Sequence, residues 1–183
     1  MFGSGKKVAE RQSHGIPTVR FDPAKVTETV KADLHQNIKS LTEVGLGDFE
    51  IVYGAALDSI SAGRALHTLY RALLTIDGVS KCRAEEISRS LNNKATSLMQ
   101  SEGQERLGIK YAYWISSGTP CGNARQDAAH KLANRNPYRV SEGMFLNGRW
   151  TLPGREDGCK CISKSIIAGL DGYTGGIRGG FGK

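Results

Sequence analysis

Three of the four cysteines and one of the four histidines lie between residues 121 and 161 of the 183-residue chain, at Cys121, His130, Cys159 and Cys161. Thiolate and imidazole groups are the ligands of structural zinc sites, usually four to one ion. Cys159 and Cys161 are two residues apart, so in an extended segment their side chains point to the same face. The pattern predicts a Cys₃His zinc site that ties three non-adjacent segments together.

A second interpretation of the same residues stays open. The spacings Cys-x₈-His and Cys-x-Cys are not those of a standard zinc finger, and three buried thiols with a surface histidine would give the same pattern. The lysines near the start are followed by no apolar stretch, so we expect no secretory signal and a chain used in a reducing cytosol. That environment favours thiols or metal ligands over disulfides. Cys82 is expected to fill space in the core.

Catalytic interpretations of the cluster have less support. A zinc deaminase requires the motifs H-x-E and P-C-x-x-C, and the chain has neither. A thiol hydrolase would pair Cys121 with His130, and only Asp127 is near in sequence as a partner acid. We therefore predict that the protein is not an enzyme, and keep an enzyme that uses the Cys/His cluster as a third hypothesis.

Apolar residues recur every three or four positions through residues 22–108, which predicts about three long helices. The first follows Asp22 as its N-cap candidate. The second spans residues 49–73, where Gly63 either permits close packing or divides the segment in two. The third runs over residues 80–108. No run approaches the roughly 18 apolar residues of a membrane span, so we predict no contact with a membrane.

The apolar period changes after residue 108. Alternation over residues 109–115 predicts a strand, residues 123–134 a short helix, and Asn147-Gly148 between apolar runs a β-hairpin. The predicted fold is therefore α+β: an N-terminal helical region over 22–108, followed by a small strand–helix–hairpin module over 109–168 that contains the Cys/His cluster.

Both flanks are predicted to be extended, residues 1–21 as a basic arm and residues 169–183 as a Gly-rich tail. The net charge of +7 is uneven, because residues 109–168 hold nine Lys/Arg against four Asp/Glu. This excess motivates the alternative hypothesis of a zinc-stabilised nucleic-acid-binding module. The candidate residues for nucleic-acid or partner contact are Lys6, Lys7, Arg11, Arg20, Arg149 and Lys160.

The order of motifs in residues 80–165 resembles a known family. The residues that carry the resemblance are Trp114, Ser116, Arg125, His130, Pro153, Gly154, Cys159 and Cys161. In this order they are similar to the C-terminal domain of the phage Mu F-type minor head proteins, also called head morphogenesis proteins. Lys160 stands where that family more often has Arg, and residues 1–79 and the tail fall outside the resemblance.

The resemblance implies a minor structural component of a tailed-phage virion. Such a protein would be made in the host cytoplasm, be present in few copies near the portal vertex, and act in head assembly or at the head–tail connector. Its expected partners are portal, capsid or connector subunits, other copies of itself in a homo-oligomer or ring, and packaged DNA.

Overall fold

The computed structural model describes residues 22–167 and 169. The predicted arm over 1–21, with Lys6, Lys7, Arg11 and Arg20, lies outside the described residues, as does the rest of the predicted tail.

Helices come first along the chain and a small strand-containing module follows, which confirms the predicted α+β fold. Within residues 22–167, no helix combines the length and the apolar content that a membrane span requires. The elements are α1 Glu28–Lys39, α2 Phe49–Ser61, α3 Leu66–Leu73, α4 Lys81–Arg106, β1 Tyr111–Ile115, α5 Ala124–Ala133, β2 Pro137–Arg139, β3 Met144–Leu146, β4 Arg149–Thr151 and β5 Ile162–Ser165.

The start of the first helix was predicted wrongly. Asp22 accepts a hydrogen bond from the backbone N–H of Ala24 (3.0 Å) but serves only a short 3-10 turn at Pro23–Lys25. The α-helix begins after Thr27, whose hydroxyl accepts from the Val30 N–H and donates to Glu102 of α4 at 2.8 Å. The tertiary bond to α4 gives Thr27 an advantage as N-cap that no local pattern reveals.

The second predicted helix is divided in two at Gly63. Of the two alternatives for Gly63, close packing or a division of the helix, the structure shows the division. Gly63 and Arg64 both have a left-handed backbone, each with φ of 74°. Two successive left-handed residues cannot continue an α-helix, so α2 ends and α3 begins at Leu66.

Helix α4 contributes to both halves of the structure. Its apolar residues, such as Ile87, Leu91 and Ala95, are buried in a core shared with α1, α2 and α3. The opposite face hydrogen-bonds to the module. Ser97 donates to the carbonyl of Pro153 at 2.6 Å, and Gln100 to the carbonyl of Ser163 at 2.7 Å. The polar face of α4 is therefore a docking surface for the module.

Two ion pairs add to this connection. Both terminal guanidinium nitrogens of Arg155 lie 2.6 Å from the carboxylate of Asp33 on α1. The ammonium of Lys94 lies 2.7 Å from the carboxylate of Asp157. These contacts hold the segment that follows the hairpin against the helices. The two clustered cysteines come directly after this segment.

The module contains a three-stranded antiparallel sheet in the order β2-β1-β5 and a separate hairpin of β3 and β4. The hairpin confirms the prediction: Asn147 and Gly148 have positive φ values of 52° and 86°, as a type I′ turn requires. Strand β5 was not predicted, because its side chains do not alternate between apolar and polar.

Trp114 of β1 and Tyr138 of β2 fill the centre of the module, at 0% and 1% exposure. Burial raises the pKa of Tyr138 to about 12, and its hydroxyl donates a hydrogen bond to Ser163 of β5 at 2.6 Å. The same apolar cluster includes Cys159 and Cys161. Two of the four predicted ligands are therefore part of the module's core.

Candidate metal centre

Three buried side chains from two segments of the chain converge beside Trp114. His130 lies in the last turn of α5, a helix that Asn123 caps by accepting from the Gln126 N–H. Cys159 and Cys161 lie in the chain between the hairpin and β5. The rings of Trp114 and His130 have centroids 5.2 Å apart.

The distances among these side chains suit a metal ion. His130 Nδ1 lies 3.8 Å from the sulfur of Cys159 and 3.7 Å from that of Cys161, and the three ligand atoms are all within 4.8 Å of one another. Tetrahedral zinc with ordinary bond lengths would place an imidazole nitrogen and a sulfur about 3.6 Å apart. The group could therefore hold a metal ion with little rearrangement.

Backbone N–H groups point at both sulfurs. The Gly154 N–H donates to the sulfur of Cys159 at 3.3 Å, and a backbone hydrogen bond from Ser117 helps to lower the pKa of Cys161. Gly154 has φ of +85°, and an added Cβ would lie 3.3 Å from the Cys161 carbonyl oxygen. Donors aimed at sulfur favour thiolate, the form that binds metal.

The pKa values of the two thiols depend on each other. The hydrogen bond between them lowers the pKa of Cys161 below its usual range and, together with burial, raises that of Cys159. The pair therefore loses its first proton readily and its second only with difficulty, unless a cation compensates for the second negative charge.

The indole of Trp114 provides a further test of the metal interpretation. Its Nε1 is the one buried side-chain nitrogen or oxygen without a hydrogen-bond partner in the described part of the chain. The indole nonetheless lies near enough to Cys161 to help lower the pKa of that thiol. An N–H directed towards an anionic sulfur is better satisfied than one directed towards a neutral thiol, so the orphaned donor suits a metal-bound thiolate.

The far side of the His130 ring has a carboxylate partner. His130 Nε2 lies 3.1 Å from Glu156, whose side chain is 3% exposed. The other oxygen of Glu156 accepts from Arg149 Nε and Nη2, at 2.9 and 2.8 Å. A carboxylate on one ring nitrogen orients the imidazole and leaves the other nitrogen free to bind a metal. Nδ1 is therefore the His130 nitrogen that could bind a metal ion.

The sequence analysis missed Glu156. Its only signal was that it is one of four acidic residues in the module, and no spacing rule links it to His130. Arg149 was predicted to contact a partner or nucleic acid, but the structure engages its guanidinium with Glu156.

The fourth predicted ligand, Cys121, is not in the cluster. Its sulfur and its backbone N–H each lie 2.9 Å from one oxygen of Asp127. Burial and this hydrogen bond raise the pKa of the Cys121 thiol, and the bond lowers that of Asp127. Cys121 lines a cavity of about 70 Å³ that His130 and Cys161 also line. The structure thus assembles three of the four predicted ligands and places the fourth beside them.

The other predicted residues divide into two groups. Pro153 and Gly154 are buried beside the cysteines, and Trp114 packs on His130. Arg125 is exposed on α5, and Lys160 is exposed between the two clustered cysteines. The surface histidine of the second interpretation is contradicted, because His130 is buried at 4% exposure. The expectation that Cys82 fills space in the core was wrong, because Cys82 is exposed.

Comparison of the chain with known protein families, with curated proteins and with solved structures finds no match.

The close approach of two loops beside the cluster gives a stability prediction. At Gly158 φ is +68°, and an added Cβ would lie 2.4 Å from the carbonyl oxygen of Cys121. We expect Gly158→Ala to lower the free energy of unfolding by more than about 2 kcal/mol, because it combines left-handed strain with a backbone clash. Urea denaturation at fixed metal concentration measures this.

Gly148→Ala is the matched control. Gly148 has φ of +86° but nothing within 4 Å of an added Cβ, so only the strain applies and the loss should be about 1 kcal/mol. Equal losses in the two variants would show that the 121 and 158 loops are not in close contact.

Proposed function

We propose that this protein is a structural component of a tailed-phage virion. It acts as a minor head or head–tail connector protein in head assembly at the portal vertex, and a zinc ion fastens its C-terminal module. One observation supports this best: most of the residues that carry the resemblance to Mu F-type minor head proteins lie in and around the buried His130–Cys159–Cys161 group. A shared fastener explains why these residue types occur together in that order.

Zinc is the metal that fits this donor set. Two thiolates and one imidazole are ligands for zinc rather than for magnesium or calcium, which prefer oxygen. The reducing cytosol in which such a protein would be made leaves thiols available. Cys121 is the proposed fourth ligand, because it borders the same small cavity and is held close by Gly158.

A structural role suits the site better than catalysis does. His130, Cys159 and Cys161 are all buried. The Cys121 thiol donates to Asp127, and its pKa is raised, the opposite of what an activated nucleophile needs. The ring nitrogen of His130 that faces away from the sulfurs is engaged by Glu156. These contacts support a fastener and give the Cys/His group no exposed nucleophile.

The metal proposal predicts about one equivalent of zinc per chain in protein purified without chelator. The double variant Cys159→Ser/Cys161→Ser should lose the zinc and unfold about 10 °C lower, because bound metal stabilises only the folded module. Cys121→Ser should weaken zinc binding without abolishing it. Elemental analysis and calorimetry measure both effects.

Cys82→Ser is the control, since Cys82 is an exposed cysteine on α4 outside the cluster. It should keep the zinc content and melting temperature of the parent. If protein purified without chelator contains no metal, the interpretation of the cysteines as buried thiols without a metal ion would be favoured instead.

The contact between Glu156 and His130 predicts a second effect on affinity. Glu156→Gln keeps the shape but removes the charge that orients the ring and makes it more basic, so zinc affinity should fall about 10- to 100-fold. Competition with a chromophoric chelator measures the affinity. Glu142→Gln removes an exposed charge that pairs with the nearby Arg139 and should leave the affinity unchanged. Equal zinc affinities of the Glu156→Gln and Glu142→Gln variants would show that Glu156 does not position His130 for metal binding.

The virion proposal predicts that the protein occurs in purified particles of its phage in few copies, and that it binds portal, capsid or connector subunits of the same genome. Peptide mass spectrometry of the particles and native mass spectrometry of mixed subunits test this. A strict monomer with no affinity for any of these subunits would overturn the proposal.

The basic excess of residues 109–168 favours one alternative, a zinc-stabilised nucleic-acid-binding module. Binding through phosphate contacts weakens steeply as salt rises. Titration with duplex and single-stranded DNA at low and moderate salt separates the two functions, and absence of binding at low salt would exclude this alternative.

A further inference from the structure

A second, larger cavity of about 360 Å³ lies beside the paired cysteines. Three segments enclose it: the turn between α2 and α3 with Arg64, the middle of α4 with Arg89 and Asn93, and the chain around Pro153 and Lys160. We refer to this cavity as the basic groove. It lies where the helical part and the module meet, so its shape depends on their docking.

The charge on the groove has one sign. Arg64, Arg89 and Lys160 line it, and its lining includes no Asp or Glu. Arg89 forms an exposed pair with Glu85 along α4 at 3.2 Å, and such surface pairs are weak. Within the described part of the chain, Arg64 and Lys160 have no ion-pair partner. The groove therefore presents two positive charges, those of Arg64 and Lys160, that no ion pair in the described part of the chain neutralises.

Arg64 is held in an unusual conformation at the groove edge. Its φ of 74° is in the left-handed region, which disfavours a residue with a Cβ. Its Nη2 donates to the side-chain oxygen of Asn93 at 2.6 Å, and the Asn93 amide donates to the carbonyl of Cys159 at 3.1 Å. Strained residues of this kind gather at ligand sites. Arg64 is thus positioned by α4 and by the segment that carries the cysteines.

The rest of the lining is apolar in part. Leu66, Pro153 and Ile162 contribute to it, and Ile162 is 59% exposed. The lining includes no aromatic ring, so the groove offers no platform on which a nucleic-acid base would stack. A ligand that carries both carboxylates and an aliphatic side chain matches this surface better than a phosphodiester backbone does.

The flanks of the chain lack the matching charge. Residues 1–21 hold four Lys/Arg against one acidic residue, and residues 169–183 hold two against one. Charge complementarity therefore points to another protein as the occupant.

We propose that the basic groove binds an acidic segment of a partner protein. Carboxylates of that segment pair with Arg64, Arg89 and Lys160, and an aliphatic side chain packs against Leu66 and Ile162. The inference goes beyond the proposed virion role, since it names the docking surface and the chemistry of the partner and holds whichever assembly the protein joins.

The test uses full-length ¹⁵N-labelled protein with zinc content verified. Three probes are titrated: a 12-residue peptide of Glu and Leu, the same peptide with Gln for every Glu, and a 12-nucleotide single-stranded DNA. The Glu/Leu peptide should shift the amide signals of Arg64, Asn93 and Lys160. It should bind at least about fivefold more tightly than the Gln/Leu peptide.

Three outcomes would overturn the proposal. The first is no shift at these amides with the Glu/Leu peptide. The second is equal binding of both peptides, which would make the surface merely apolar. The third is stronger binding of the DNA at the same amides, which would assign the groove to phosphate.

Variants confirm the location. Arg64→Gln/Lys160→Gln should weaken Glu/Leu peptide binding at least about fivefold with unchanged zinc content. The control Arg71→Gln/Arg106→Gln removes the same charge from exposed positions outside the groove and should change binding less than about twofold. If the Arg64 change disturbs folding, Lys160→Gln alone serves as the test, because it alters only an exposed side chain. It should weaken binding of the Glu/Leu peptide by a smaller but measurable factor. Equal losses in both double variants would show a non-specific charge effect and contradict the proposal.

Discussion

The hydrogen bonds from the polar face of α4 to the module position the segment that carries Cys159 and Cys161, together with the strand β5 that follows it. Asn93 donates a hydrogen bond to the carbonyl of Cys159, and Ser97 donates one to the carbonyl of Pro153. Gln104 donates to the hydroxyls of both Ser163 and Ser165 on β5. Buried polar groups must be satisfied, so these contacts allow very few positions for the segment that carries the cysteines. The cysteines of the candidate metal site thus pack on a helix whose other face belongs to a different core.

The same helix shows why sequence reasoning succeeded in part. The order of helices, the Asn147-Gly148 hairpin and the gathering of His130 with Cys159 and Cys161 follow from local patterns: helical period, turn chemistry and residue spacing. The serines, asparagines and glutamines of α4 resemble an ordinary solvated face. Only the fold shows that they bind the module.

What the sequence could not predict depends on non-local partners. Thr27 became the N-cap of α1 in part because Glu102 on α4 accepts from its hydroxyl. Glu156 approaches His130 because the hairpin returns the chain to α5, and Gly158 lies against the backbone of Cys121. None of these pairings has a spacing rule, since each joins segments whose separation is set by packing.

The charged groups around the buried His130–Cys159–Cys161 group bear on what the group can do chemically. A buried carboxylate such as Glu156 is costly without compensation, and here it is balanced by Arg149 on one side and by the His130 ring on the other. These interactions orient the His130 imidazole towards the two sulfurs. A metal site requires such an orientation, because the ring nitrogen must approach the ion at a fixed angle. A catalytic zinc needs one position open to substrate, whereas the cavity at this group holds only about 70 Å³ and has Cys121 at its wall. Cys121, His130 and Cys161 line this one small cavity, which suits the fourth ligand that we propose.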